Sequence, residues 1–225
     1  MIAPLMRCLT VVMLCASPCT SQVSAQTQPP HPAHTSRPIQ VGGYATAGHI
    51  NLASAQSFDA ILGTSSGLIF GGGLRAGLPF GGLFLDAGAW RYAKRGERAF
   101  VLNGTVYSLN IPVEVTMTPL ELSAGWRFRF RRLPRFVPYV AAGVTVMKYV
   151  ERSDFSTPAE DVDEQFVGRL FVGGAEIRLM RWLGAGTEVV WSSVRNALGD
   201  AGVSRAFDET GLGGTSFRFK ITAGR

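Results

Sequence analysis

A chain of 225 residues suits one domain, and with 46% apolar residues at a mean hydropathy of only +0.16 it can cover one apolar surface without an obvious membrane helix. Its 27 glycines argue against a helical protein, because glycine weakens a helix interior by about 1 kcal/mol relative to alanine. The 22 Lys and Arg exceed the 16 Asp and Glu, but they form no basic block, which leaves no footing for nucleic acid as a partner.

In chain order, residues 1–25 read as an export signal. Arg7 is its thin basic start, Cys8 to Ala16 its apolar stretch, and Pro18 the break before Val23-Ser24-Ala25, where cleavage after Ala25 is expected. Leu14 and Pro18 stand where a lipid-anchored cysteine would need small residues. Cys8, Cys15 and Cys19 all fall in the removed segment, so the mature chain has no disulfide and no cysteine metal site. Loss of Arg7 leaves 21 basic and 16 acidic residues, a net charge of +5. Residues 26–38 are polar and proline-rich and read as a flexible periplasmic leader; His31 and His34 in it are too isolated to name a metal.

Residues 39–225 show short alternating segments with turn signals between them. Eight strands are predicted: Ile39 to Gly48, Gly67 to Gly77, Leu83 to Lys94, Ile111 to Phe130, Val137 to Val150, Phe166 to Leu179, Leu183 to Ser193 and Gly213 to Ala223. Short connections (Leu78 to Gly82, Arg131 to Phe136, Met180 to Trp182) alternate with long ones, as in an all-β, eight-stranded antiparallel up-and-down transmembrane β-barrel. The first connection is long, so strand one rises from the periplasm and both termini return there. Asn103-Gly104 between β-rich flanks predicts a surface hairpin joining strands three and four. In strand four the apolar parity switches between Val113, Val115, Met117 and Leu120, Leu122, Ala124, which predicts a β-bulge near Pro112 or Pro119.

The last strand sets the faces. Phe217, Phe219 and Ile221 alternate with Ser216, Arg218, Lys220 and Thr222. With the apolar face outward, the lumen receives Arg75, Asp86, Glu121, Glu176, Arg178, Glu188 and Arg218, with Arg127 and Glu114 as further candidates. Charges of both signs in a narrow interior are expected to pair. Aromatic girdles are expected at the two membrane interfaces: Phe128, Phe130, Phe136 and Trp182 on the periplasmic side, and Trp90, Tyr92, Tyr149 and Trp191 on the other.

Val137 to Gly143 (VPYVAAG) and the terminal Gly214-Thr215-Ser216-Phe217-Arg218-Phe219 carry a resemblance to the OmpA-like superfamily of small eight-stranded outer-membrane barrels, over about residues 39 to 225. Gly214, Phe217 and Phe219 look like the barrel-assembly signal, although Gly213 precedes that glycine and the chain closes on Gly224-Arg225 rather than an aromatic residue. The resemblance implies a bacterial outer-membrane location, with membrane lipid, the barrel-assembly machinery and an unidentified extracellular partner of the loops as partners. No cofactor and no metal are implied. The function expected is non-catalytic, structural or surface-interacting, including a narrow pore with a charge-plugged lumen. Residues 194–212 and the Asn103-Gly104 hairpin are the candidate recognition surface. Two alternatives stay open. One is a soluble periplasmic barrel that binds an apolar ligand. The other is a lipid-modifying enzyme built on the barrel's single histidine, His49, with Asp59 and Ser65 or Ser66.

Overall fold

The computed structural model describes residues 39–79, 81–153, 162–199 and 202–224. The expected export signal (1–25), the leader with His31 and His34, and the three cysteines lie outside the described residues.

Eight strands form one closed antiparallel barrel: β1 (Gln40–Leu52), β2 (Ser66–Gly77), β3 (Leu83–Leu102), β4 (Thr105–Arg127), β5 (Phe136–Ser153), β6 (Val162–Arg178), β7 (Leu183–Val194) and β8 (Leu212–Gly224). Each strand pairs with its neighbours in sequence, and β8 closes the ring on β1 from Leu52↔Gly214 to Gly42↔Gly224. The eight strands, their order and the hairpin all match the alternation read from the sequence.

The register staggers steadily around the ring. From Val41 it passes through Ala76, Leu85, Ala124, Ala142, Phe171, Trp191 and Thr215, and returns to β1 at Asn51, ten residues further along. For eight strands that stagger corresponds to a tilt of about 40°, which leaves an interior just wide enough for side chains.

β3 and β4 are the longest strands and run on together to a two-residue turn at Asn103 (φ 51°) and Gly104 (φ 77°). Both angles are left-handed, as the turn that joins twisted strands most easily requires. The bulge lies higher than expected. Glu97 pairs with Pro112 and Ala99 with Ser108, so Leu109, Asn110 and Ile111 stand opposite Arg98 alone. Asn110 takes the left-handed angle there (φ 53°). Between Pro112 and Trp126 the register is unbroken, and Pro119 keeps its place opposite Met147. The parity switch therefore has another cause. Val113, Val115, Met117 and Glu121 share one inward face, and it is the filling of the barrel that changes from apolar to charged.

The loop-side end of the interior is a dry core that includes Ile50, Ile69, Val115, Met117, Met147 and Leu212. A short helix, α1 (Ala55–Leu62), lies over it and inserts Phe58 and Leu62; a second, α2 (Gly202–Ala206), sits in the last loop. Neither helix is announced by a convincing helical period in the sequence. No helix among the described residues is long and apolar enough to cross a membrane. Outside, every strand presents large apolar side chains, such as Leu74, Leu122, Val140, Phe171, Val189 and Phe219, to the surroundings.

Candidate functional site

Three strands deliver carboxylates to the middle of the lumen and two deliver cations. Asp86 of β3 accepts hydrogen bonds from Tyr44 Oη (2.6 Å) and Arg75 Nε (2.7 Å). Glu121 of β4 accepts two parallel bonds from Arg218 Nη1 and Nη2, both 2.8 Å, and one from Trp90 Nε1 (2.6 Å). Glu188 of β7 accepts from Tyr139 Oη (2.8 Å), with Lys220 Nζ at 2.8 Å and Arg218 Nη1 at 3.8 Å. Lys220 also reaches Asp86 at 3.9 Å, which joins the clusters into one network. Charge-assisted and bidentate bonds of this kind are among the strongest available in a protein interior.

Aromatic rings complete the enclosure. Arg75 lies 4.6 Å from the ring centroids of both Phe84 and Tyr139, Lys220 lies 3.8 Å from that of Tyr44, and Arg218 lies 5.3 Å from Trp90. Stacking of this type is favourable where water is excluded. A void among these side chains measures about 10 Å³, room for no more than a single water. Space for the rings comes from glycines: a Cβ on Gly88 or Gly73 would stand 2.3 or 2.5 Å from Tyr44 Oη.

Of the sequence-predicted charges, Arg75, Asp86, Glu121, Glu188 and Arg218 meet in this network. Glu176 joins it from below, with Oε2 3.7 Å from Arg75 Nη1 and Oε1 accepting from Thr222 Oγ1. Arg127 also points inward, 5.3 Å from the Phe84 ring. Two candidates lie elsewhere. Arg178, the last residue of β6, is exposed at the short-turn mouth of the barrel beside Arg181 and Trp182. Glu114 faces outward and pairs with Arg95 at 3.4 Å. Lys220, Tyr44 and Tyr139 were missed. Lys220 has the parity of Arg218 and could have been found from that alone; the tyrosines carry no charge signal.

The girdle assignment needs correction. Trp90, Tyr92 and Tyr149 are buried inside the barrel rather than set at an interface. Trp90 and Tyr92 share the parity of Asp86, and Tyr149 shares that of Tyr139, so pleating turns all three inward. Phe128, Phe130, Phe136 and Trp182 do face outward near the short turns, and Trp191 does so at the other end, 5.7 Å from Phe171. Phe217 and Phe219 face outward edge to face, and Gly214 (φ 143°) lies so near β1 that a Cβ would stand 2.0 Å from the Asn51 carbonyl oxygen.

The first and last long loops interlock over the mouth. Glu209 accepts from the backbone amides of Gln56 (3.1 Å) and Ser57 (2.8 Å) and from Ser57 Oγ (2.6 Å). A carboxylate here satisfies the open amides at the start of α1 and opposes its dipole. Ser54, the residue before α1, gives its hydroxyl to the Gly211 carbonyl instead.

No family model matches the chain, and no curated protein sequence matches it. Its fold resembles that of Neisserial surface protein A, with a TM-score of 0.53 and 11% identity over 83% of this chain and 99% of that one. Weaker likenesses are to the N-terminal β-barrel domain of OprF from Pseudomonas aeruginosa (0.48, 11%, 82% and 97%) and to Ail, the attachment invasion locus protein of Yersinia pestis (0.44, 11%, 83% and 97%). At such identities the likeness is one of fold. The architecture is that of a small, closed, eight-stranded up-and-down β-barrel.

Proposed function

We propose that the protein is a non-catalytic integral barrel of the bacterial outer membrane, a rigid scaffold that displays its helix-capped mouth and long hairpin at the cell surface. The observation that carries this reading is the distribution of polarity: large apolar side chains cover the outside, while Asp86, Glu121, Glu188, Arg218 and Lys220 are enclosed and paired within. In lipid every backbone polar group must be satisfied internally, which a closed ladder achieves and an open sheet cannot. A soluble barrel for an apolar ligand would need the opposite arrangement, with a cavity where the ion pairs stand. His49 faces outward and is exposed, and among the described residues no hydrogen bond joins it to Asp59, Ser65 or Ser66, which leaves the lipid-modifying alternative without an assembled site.

The partners follow from the same reading. Lipid surrounds the apolar band, the assembly machinery reads Gly214, Phe217 and Phe219, and an extracellular partner meets the hairpin, where Phe100 and Tyr107 stack at 5.1 Å. The paired charges below and the dry core above keep the lumen closed to solutes.

The test is extraction and electrophoresis. The protein is expected to require detergent for release and to run on a gel in SDS as a folded band that shifts only after boiling, because all its strand pairs break together. Release by a salt wash with no shift would sink the reading. In planar bilayers the folded barrel is expected to give no steady conductance, and a stable open channel would refute the closed lumen.

A further inference from the structure

Outward-facing strand positions just above the apolar band are unevenly charged. β3 carries Arg91 and Arg95, and β5 carries Lys148 and Arg152, all exposed. The registers bring them together: Arg95 lies across from Glu114, which lies across from Arg152. Directly below stand Leu85, Leu120, Leu122 and Val144, exposed members of the apolar band. The outward faces of β7, β8, β1 and β2 bear no Lys or Arg at all. The charge is therefore a patch on one side of the barrel and not a ring around it.

The patch is also concave. Arg91, Arg95, Glu114, Thr116, Val150 and Arg152 line a depression of about 470 Å³. Its lining carboxylate, Glu114, takes Arg95 at 3.4 Å, and nearby Asp163 takes Lys148 at 3.1 Å. Among the described residues Arg91 and Arg152 have no carboxylate partner. Two free guanidinium forks beside a threonine hydroxyl match a phosphate group, which arginine binds bidentately.

We infer that this face binds the phosphorylated headgroup of an outer-leaflet lipid, with Arg91 and Arg152 holding the phosphate and the acyl chains lying on Leu120, Leu122 and Val144. The inference rests on the membrane reading above, which puts the long-loop end in the outer leaflet. A lipid is favoured over a free phosphate because Arg91, Arg95, Glu114 and Arg152 face outward from the barrel wall, above the exposed Leu120, Leu122 and Val144, and not into the lumen. Opposite charge and apolar contact then act on one molecule at once, which suits a membrane interface.

The experiment is native mass spectrometry of the full chain folded in a neutral detergent and titrated with diphosphoryl lipid A. One lipid is expected to stay bound, and the Arg91→Ala/Arg152→Ala double variant is expected to bind about tenfold or more weakly, the order set by losing charge-assisted hydrogen bonds. An Arg181→Ala variant, altered at the opposite mouth, is expected to bind as the parent does. Equal binding by the double variant, or by a dephosphorylated lipid A, would overturn the inference. So would displacement of the lipid by millimolar inorganic phosphate, which would make a free anion the ligand. Each variant is first run unheated and boiled on a gel: a heat-shifted barrel that ignores the phosphorylated lipid removes this inference alone, whereas absence of the shift in the parent removes the membrane reading beneath it.

Discussion

Replacing Glu188 by glutamine is expected to lower the stability of the folded barrel by about 3–5 kcal/mol, the cost of leaving buried charges without their partner. Glu188 and Lys220 are 3% and 4% exposed at their side chains, and Arg218 is 4% exposed. The substitution keeps the shape of the side chain and an acceptor for Tyr139 Oη, so little but the charge is lost. Lys220 would then depend on Asp86 at 3.9 Å, a carboxylate already bonded to Tyr44 and Arg75. The contrast is Arg95→Gln on the outer face. Arg95 is 88% exposed, and its loss should cost below about 1 kcal/mol, as for other solvated pairs. Urea titration of the two variants in micelles, read by the heat-shifted band, measures both. Equal small losses would mean that the lumen is wet and its ion pairs are screened.

The second large effect is expected at the cap. Phe58 is buried to 3% exposure between α1 and the dry core, and Phe58→Ala should cost about 3–5 kcal/mol as the removed ring leaves a cavity. The loss is expected to be local. α1 rests backbone to backbone on β3, with Gly96 so close that a Cβ would stand 2.0 Å from the Ile61 carbonyl oxygen. Without the ring, α1 keeps only Leu62 and the partly buried Ile61 against the core. Hydrogen exchange should then show the Gln56 and Ser57 amides, which Glu209 otherwise accepts, losing protection while the strand amides keep theirs. Unchanged protection at α1 would show that the loops hold each other without the core. Loss throughout the barrel would show that the cap is part of the global cooperative unit.

The ladder itself was legible because one face of most strands is apolar and the other polar, so a period of two survives in sequences such as Phe217 to Thr222. It failed where the faces exchange character, apolar inside and charged outside. In the upper halves of β3, β4 and β5 the inward side packs against α1, and there the pattern suggested interfacial aromatics and a bulge at proline. Parity was informative even at those places: Asp86, Trp90 and Tyr92 must share a face, whichever face that is. Depth along a strand was harder to read. Arg178 has the parity of Glu176 but lies at the end of β6, where the side chain opens to solvent. α1 was hidden by its length, since eight residues with Phe58, Ile61 and Leu62 make barely two helical turns. The pairing of loops through Glu209 joins residues some 150 apart, a relation that no local pattern encodes.

The order in which the strands are made gives the last of them a particular burden. β8 brings both Arg218 and Lys220, while the carboxylates they neutralise arrive earlier, Glu121 on β4 and Glu188 on β7. A nascent barrel of seven strands therefore has an open seam and also two acids without counter-ions facing a space that is becoming dry. On the membrane reading proposed above, unmet charge of this kind opposes entry into lipid. Docking of the closing strand completes the ring and supplies both cations at once, so closure and electrical neutrality are one event.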